Sequence, residues 1–360
     1  MTAVDFRMTQ ALQRAKQVVL DYYEALDRAS GDEVADVLHK HTAEDYHWRG
    51  MHPFHEQSGA DAVADVFWRP TKAAFGSLQR RPDVFLAGVS GPETTGASSA
   101  LGLDGVWVCQ MGHLLGLFDQ PWLDIPPTRK MCFLRYAEFH RVADGQIVET
   151  ALFVDVISVM AQAGHYPLPP QTGASHIHPG PQTHDGLLLD EQDSVEGQAT
   201  IDLVNRMIDD LTRANEIGNE TGDNRVPREL LAETWHDDMI WSGPEGIGAT
   251  YTIDRYQEQH QYPFRFNLAN KQFNGHIARF SEGHYACFFG WANLTNTAAG
   301  GFLGLPASDI PADMRVVDVY RRDGDKLAEN WVFIDLLHWL NMQGLDVLAR
   351  LRQLQGLEQL

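Results

Sequence analysis

Cysteine is scarce in this chain: three residues in 360, an odd number, with no spacing that suggests paired bridges. A disulfide framework is therefore excluded as the organising principle, and reduced, buried, structural thiols are expected, which points to the cytoplasm. Basic side chains are also few. Lys plus Arg number 28 against 49 Asp plus Glu, a formal net charge of −21. Such an excess of negative charge repels phosphate backbones and anionic bilayers, so neither nucleic acid nor a membrane is an expected partner. No apolar run approaches the length of a membrane span, and the opening MTAVDFRMTQ lacks a basic-then-apolar leader pattern. Also missing are a serine elbow, a Walker loop and a dinucleotide fingerprint. The Gly-rich spot Ala299-Gly300-Gly301 reads as a strand turn.

What the chain does contain is a copy of itself. Sliding the sequence so that Asp155 falls on Asp335 lays Trp122–Gly164 without a gap on Phe302–Gly344. Leu123, Pro126, Arg135, Arg141, Glu149, Phe153 and Gly164 then meet Leu303, Pro306, Arg315, Arg321, Glu329, Phe333 and Gly344. Agreement spread over an ungapped window reads as a duplicated structural unit. With 44% hydrophobic residues the chain can bury two ordinary cores, one per copy. Cys109 and Cys287 occupy matching places, whereas Cys132 has no counterpart.

Within the first copy, Leu12, Ala15, Val18, Val19, Tyr22, Tyr23 and Leu26 recur at helical spacing and give one apolar stripe. A short helix with Val34, Val37 and Leu38 follows, then an alternating strand with Tyr46 and Trp48, then a stripe of Ala62, Val63, Val66, Phe67 and Phe75. From about Asp83 the period becomes alternating, and strands are expected near 84–89, 105–117, 128–141 and 146–154. Helices first, then a meander, then a closing helix argue for an α+β unit with helices on one face of a curved antiparallel sheet. The division predicted is a first domain over 8–165, a Pro/Gly/His-rich linker over 166–197, a second domain over 198–350 and a helical tail over 351–360. Leu348, Leu351, Leu354 and Leu357 would give that tail its apolar side.

This element order, the W-x-G at Trp48 to Gly50 and Trp241 to Gly243, the turn RVADGQIVE and the ending FVDVISVMAQAG resemble the SnoaL-like polyketide cyclase family of the nuclear transport factor 2-like superfamily. The resemblance covers about 8–165 and 199–350, and implies two tandem cone-shaped α+β barrels, each enclosing a largely apolar pocket. It further implies a pocket carboxylate that removes a proton beside a carbonyl, with no metal and no organic cofactor, followed by an aldol ring closure. The fold alone does not settle chemistry, since the superfamily also holds isomerases, hydrolases, dehydratases and binding domains.

The family's base falls on Leu152 and Val332, which cannot take up a proton. Asp155 and Asp335, three residues on, stand where a strand ends and a helix begins, with Gly164 and Gly344 closing that helix. They read as helix caps. On the neighbouring strand, parity puts Leu134, Tyr136, Glu138 and His140 on one face, and Val316, Asp318 and Tyr320 on the matching face of the second copy. Glu138 is the expected base, its pKa raised by desolvation, with Tyr136 and His113 as donors to an enolate-like oxygen. The plainer reading pairs Glu138 with Arg135 or Arg141 at the rim. Trp48, His52, His55, Trp122, Leu134, His140, Leu152, Trp241 and Asp318 are the expected ligand contacts, with His52 and His55 at the pocket mouth and the first copy as the working half. His176, His178, His184 and Asp185 in the linker match no standard zinc spacing, and no metal site is assigned to them. Two functions stay open: a cofactor-free cyclase or isomerase for a small hydrophobic carbonyl compound, or a binding protein of the same fold. The copies are expected to pair sheet to sheet as an internal pseudo-dimer, with Arg135, Glu149 and Phe153 near the shared surface, and homo-oligomers are a further expectation.

Overall fold

A computed structural model describes residues 3–90, 105–175, 178–221 and 225–356. In the first half, helices Ala3–Arg28 and Val34–His41 precede strands β1 (Thr42–Gly50) and β2 (Glu56–Ser58). Helical turns over Ala60–Val63, Ala64–Trp68 and Arg69–Ala74 lead into β3 (Phe75–Val89), β4 (Val106–Phe118), β5 (Met131–Ala143) and β6 (Gln146–Val154), closed by helix Val156–Gln162. The strands form one sheet in the order β2-β1-β6-β5-β4-β3. Only the β1–β6 pair is parallel. Strand β3 begins at Phe75, well before the alternation visible from Asp83. Its register against β4 shifts between Gly76 and Gln79 and again between Pro82 and Val84, and each bulge inverts the parity that a sequence pattern relies on.

The second half repeats the plan with a broken sheet. After helices Ser194–Thr221 and Arg228–Ala232 come β7 (Trp235–Ser242), β8 (Ala249–Tyr251) and helical turns over Ile253–Tyr256, Gln257–Gln261 and Tyr262–Asn267. Strands β9 (Leu268–Phe273), β10 (Ala278–Glu282), β11 (Tyr285–Phe289), β12 (Leu294–Ala298), β13 (Ala312–Met314), β14 (Val316–Asp323) and β15 (Lys326–Ile334) follow, and helix Leu336–Met342 closes the half. One sheet runs β10-β11-β14-β15-β7-β8 and a smaller one β13-β12-β9. The long hairpin β3–β4 of the first half is thus divided here into β9/β10 and β11/β12. Gly290 sits at one break, where a Cβ would come within 2.4 Å of the Asn293 side chain. Asn293 in turn accepts from the Val316 amide at 2.7 Å.

Each sheet shows one face to its own helices and the other to the opposite half. On β5 the even residues Leu134, Tyr136, Glu138 and His140 face the helices and are fully buried. The odd ones meet the second sheet: Phe139 packs on Phe289 with centroids 4.7 Å apart, and the Arg135 guanidinium lies 4.0 Å over the Phe333 ring. Arg135 also donates to the carbonyls of Ser242 (3.0 Å) and Val332 (3.1 Å). Phe153 stands edge-on to Trp291 at 5.6 Å. Glu149 pairs with Arg49 and Arg141 on the same side.

Asp155 and Asp335 do more than cap. Asp155 Oδ1 accepts from Ser158 N at 3.0 Å while Oδ2 accepts from Glu245 N of the other half at 2.9 Å. Asp335 does the same with His338 N (3.2 Å) and His52 N (3.0 Å). Gly164 and Gly344 close the two helices at φ +81° and +89°, values a side chain rarely tolerates.

The described parts of the connecting segment, 166–175 and 178–197, pack as a strap against both halves. It bridges Phe85 to Leu187 and Ala174 to Ala249, and Pro179 accepts from Trp331 Nε1 at 3.0 Å. Beneath it Lys16 reaches Glu282 Oε1 at 2.6 Å and the Leu188 carbonyl at 2.5 Å. Helix Val347–Leu354 buries Val347, Leu348 and Leu351, and its Arg352 pairs with Asp124 of the first half at 3.2 Å. Leu357 lies outside the described residues. Among the described residues no helix is long and apolar enough to cross a membrane.

Candidate functional site

Two carboxylates stand at equivalent places on the helix-facing sides of the two sheets, each directly across from an apolar residue of the neighbouring strand. Glu138 on β5 is paired with Leu152 on β6, and Asp318 on β14 with Val332 on β15. Their surroundings differ.

Glu138 is enclosed by a charged, hydrogen-bonded cluster. Its Oε2 lies 3.3 Å from Arg80 Nη1 and 3.7 Å from His140 Nε2. Arg80 covers the Tyr23 ring at 3.9 Å and lies 5.2 Å from the Tyr136 ring. The Tyr136 hydroxyl donates to Gln110 Oε1 at 2.5 Å, and His140 bonds Tyr23 Oη (2.9 Å) and Thr150 Oγ1 (2.7 Å). Burial alone would push the Glu138 carboxyl up, but His140, Arg80 and the Tyr23 hydroxyl outweigh it and hold the group below the ordinary range. This corrects the expected upward shift, and the partner is Arg80 rather than Arg135 or Arg141. Glu138 is fully buried, and its Oε1 takes no hydrogen bond. Trp48, Phe54, Phe67 and Trp122 fill the interior around the cluster; Phe54 meets Phe67 at 4.9 Å and Trp122 at 5.9 Å.

Among the described residues no cation forms an ion pair with Asp318. Its Oδ1 accepts from Tyr320 Oη at 3.1 Å and Asn330 Nδ2 at 3.2 Å, while Oδ2 takes no hydrogen bond. Burial pushes the carboxyl up to about 6, with the two donors opposing the shift. Asp318 nevertheless keeps partial solvent exposure, as do Tyr256, His260 and Phe264 on the helical turns above it. These groups retain some accessible surface, whereas the matching side chains of the first half are fully buried. Trp241, paired in register with Asn330, forms the wall and stacks on His260 at 3.8 Å. Burial pushes the His260 imidazole down to about 3. His276, packed at 4.1 Å on Phe288, is likewise pushed down to about 3 by burial and by Arg279.

Three expected contacts are placed elsewhere. His113 pairs with Arg135, so alternation puts it on the side of the sheet opposite Glu138 and Tyr136, where it meets Asp83 at 3.3 Å. It cannot donate to a ligand bound beside Glu138. His52 and His55, edge-on at 5.3 Å, sit in a loop tied to the second half through Asp335, and Phe54 between them is the residue turned into the first interior. Leu134, His140 and Leu152 do lie on the helix-facing side of the first sheet, as Trp241 and Asp318 do in the second. Arg80, Tyr256, His260 and Asn330 were missed. Arg80 falls between the two bulges of β3, and the others carry no spacing signal. Among the described residues no group of three His, Cys, Asp or Glu side chains is placed to hold a metal ion. His176 lies outside them, while Asp185 accepts from Tyr285 Oη at 2.6 Å and His178 is buried. Two cavities of about 470 and 400 Å³ at the junction of the halves touch neither carboxylate.

No protein-family model and no curated protein matches the chain. Solved structures do. A candidate SnoaL-like polyketide cyclase from Jannaschia sp. CCS1 is 20% identical, with a TM-score of 0.31, covering 44% of this chain and 96% of its own. A nuclear transport factor 2-like protein from Burkholderia thailandensis is 21% identical, with a TM-score of 0.29, covering 42% and 97%. AclR of Streptomyces galilaeus, described as a candidate hydroxylase, is 18% identical, with a TM-score of 0.30, covering 43% and 83%. The chain is similar to these proteins in fold.

Proposed function

We propose that this chain is a SnoaL-like, cyclase-type protein that removes a proton beside a carbonyl of a small hydrophobic compound, without a cofactor, and so cyclises or isomerises it. The observation that carries the reading is Asp318: a carboxylate with one oxygen fixed by Tyr320 and Asn330 and, among the described residues, no cation paired with it. A pKa near 6 leaves it ionised at neutral pH yet basic enough to accept a proton. Glu138, paired with Arg80 and closed off from solvent, is the weaker candidate. The second half therefore takes the working role in this proposal and the first supports it, the division into 8–165 and 198–350 being that of a fused pseudo-dimer. A binding-only role is favoured by one observation, the apolar Leu152 and Val332 where the family's base would stand.

The test is proton exchange at the α-carbon of 2-tetralone in heavy water, followed by NMR. Asp318→Asn is expected to slow the protein-catalysed rate by about 100-fold or more, with the wild-type rate rising through a midpoint near pH 6. Glu138→Gln should leave it unchanged. If wild type exchanges no faster than buffer, proton abstraction falls and the binding role stands. If Glu138→Gln alone abolishes exchange, the working half is the first.

A further inference from the structure

Among the described residues of the second half, two imidazoles, His260 and His338, carry a buried nitrogen with no partner, and His260 is the one on the helix-facing side. His260 lies in the π-helical turn Gln257–Gln261, which crosses the helix-facing side of the sheet. Its Nδ1 is buried and makes no hydrogen bond. Its neighbours cannot supply one readily, because Gln257 Nε2 is already committed to the Val226 carbonyl (2.6 Å) and to Gln261 Oε1 (3.2 Å). The surroundings are otherwise aromatic: Trp241 stacks on the ring at 3.8 Å and 18°, with Tyr256 at 5.5 Å and Phe264 at 5.8 Å.

The first half shows what this position needs for packing alone. Its own π-helical turn, Ala64–Trp68, carries Phe67 at the equivalent place, 5.9 Å from Trp48, which is the counterpart of Trp241. A phenyl ring completes that interior without any polar atom. The second half puts an imidazole there instead and leaves a nitrogen unsatisfied, in the interior that also holds an unpaired carboxylate and retains accessible surface. An orphaned buried polar atom is unfavourable unless something outside the chain satisfies it.

We infer that His260 is a ligand-binding residue whose Nδ1–H donates to the carbonyl of a flat, non-anionic compound held in the second interior. Flatness follows from walls made of Trp241, Tyr256, Phe264 and Phe288. An anionic ligand is disfavoured by Asp318, a carboxylate with which no described cation forms an ion pair. A neutral imidazole donor suits a carbonyl, because it polarises the oxygen without surrendering a proton to the carboxylate. The inference rests on the second interior being the ligand chamber. It does not require Asp318 to act as a base.

Binding of 6-propionyl-2-(dimethylamino)naphthalene tests it, since this planar naphthyl ketone emits further to the red when its carbonyl accepts a hydrogen bond. His260→Phe restores the first half's ring and keeps the stack on Trp241. It should weaken binding by about tenfold, the worth of one hydrogen bond of this kind, and shift the bound emission to the blue. His260→Gln, which keeps a donor, should retain part of the red shift. Asp237→Asn, in an exposed ion pair with Arg228, should bind as tightly as wild type with unchanged emission. A dye that fails to bind wild type, or binds His260→Phe with the same affinity and colour, overturns the inference. Loss of α-proton exchange in Asp318→Asn with an unaffected dye in His260→Phe would sink this inference while leaving the base in place. The reverse pattern would leave the chamber and remove the base.

Discussion

At the scale of single residues, the two carboxylates show how a matched position diverges in chemistry. Both were legible in the sequence, because strand parity placed Glu138 and Asp318 on corresponding faces. Their partners were not. Arg80 reaches Glu138 from a strand whose two bulges hide its alternation, and Asn330 reaches Asp318 from across the ladder, where no sequence spacing records the contact. The contrast has a consequence for stability. A carboxyl whose folded pKa of about 6 lies above its unfolded value near 3.9 binds its proton more tightly in the folded state. Its stabilising contribution is complete below about pH 4 and is lost as pH rises through about 6. Asp318→Asn, which keeps both hydrogen bonds to the side-chain oxygen, removes that loss. Urea unfolding should find the variant more stable than wild type by roughly 1–3 kcal/mol at pH 8 and close to equal at pH 4. Equal stabilities at both pH values would show that the carboxyl is not desolvated.

At the scale of elements, the W-x-G signature was readable and its cause is steric. A Cβ on Gly243 would lie 2.2 Å from Trp241 ring atoms, and one on Gly50 would lie 2.1 Å from those of Trp48. Each tryptophan folds back over the glycine two residues on, along the same face of the strand, and only a hydrogen leaves it room. Gly243→Ala would force the indole off its stack with His260. Thermal unfolding should show a loss of about 1–3 kcal/mol, with the tryptophan emission displaced to longer wavelength as the ring meets solvent. A variant as stable as wild type would mean that the ring has another place to go. Register was the part the sequence could not supply. The match that sets Cys109 on Cys287, two residues out of step with the ungapped window, sets His113 against Trp291, yet it does not say which face they share. The ladder places His113 opposite Arg135, and Trp291 beside Phe153, so both belong to the contact between sheets rather than to an interior. Gly290, where the second hairpin breaks, lies outside the ungapped match.

At the scale of the whole molecule, the match of 122–164 to 302–344 was legible in the sequence, but its mechanical consequence required coordinates. Asp155 and Asp335 read as helix caps, and each does cap its own helix. Each also holds the loop after the W-x-G of the other half, through Glu245 N and His52 N. The loop that follows Trp241, the wall of the second interior, is therefore anchored by a residue of the first half. Removing that anchor separates two descriptions of the chain. If the halves were independent units on a strap, Asp155→Ala would cost about 1 kcal/mol as a lost helix cap and loosen only helix Val156–Gln162. With the anchor as described, amide exchange should accelerate at Ser158 and, in the same variant, around Glu245 to Gly248, although these lie in the other half. Asp335→Ala should produce the mirror result at His338 and around His52 to His55. Hydrogen exchange read by mass spectrometry resolves both segments, and protection around 245–248 that is unchanged in Asp155→Ala would show that each half holds its own loop.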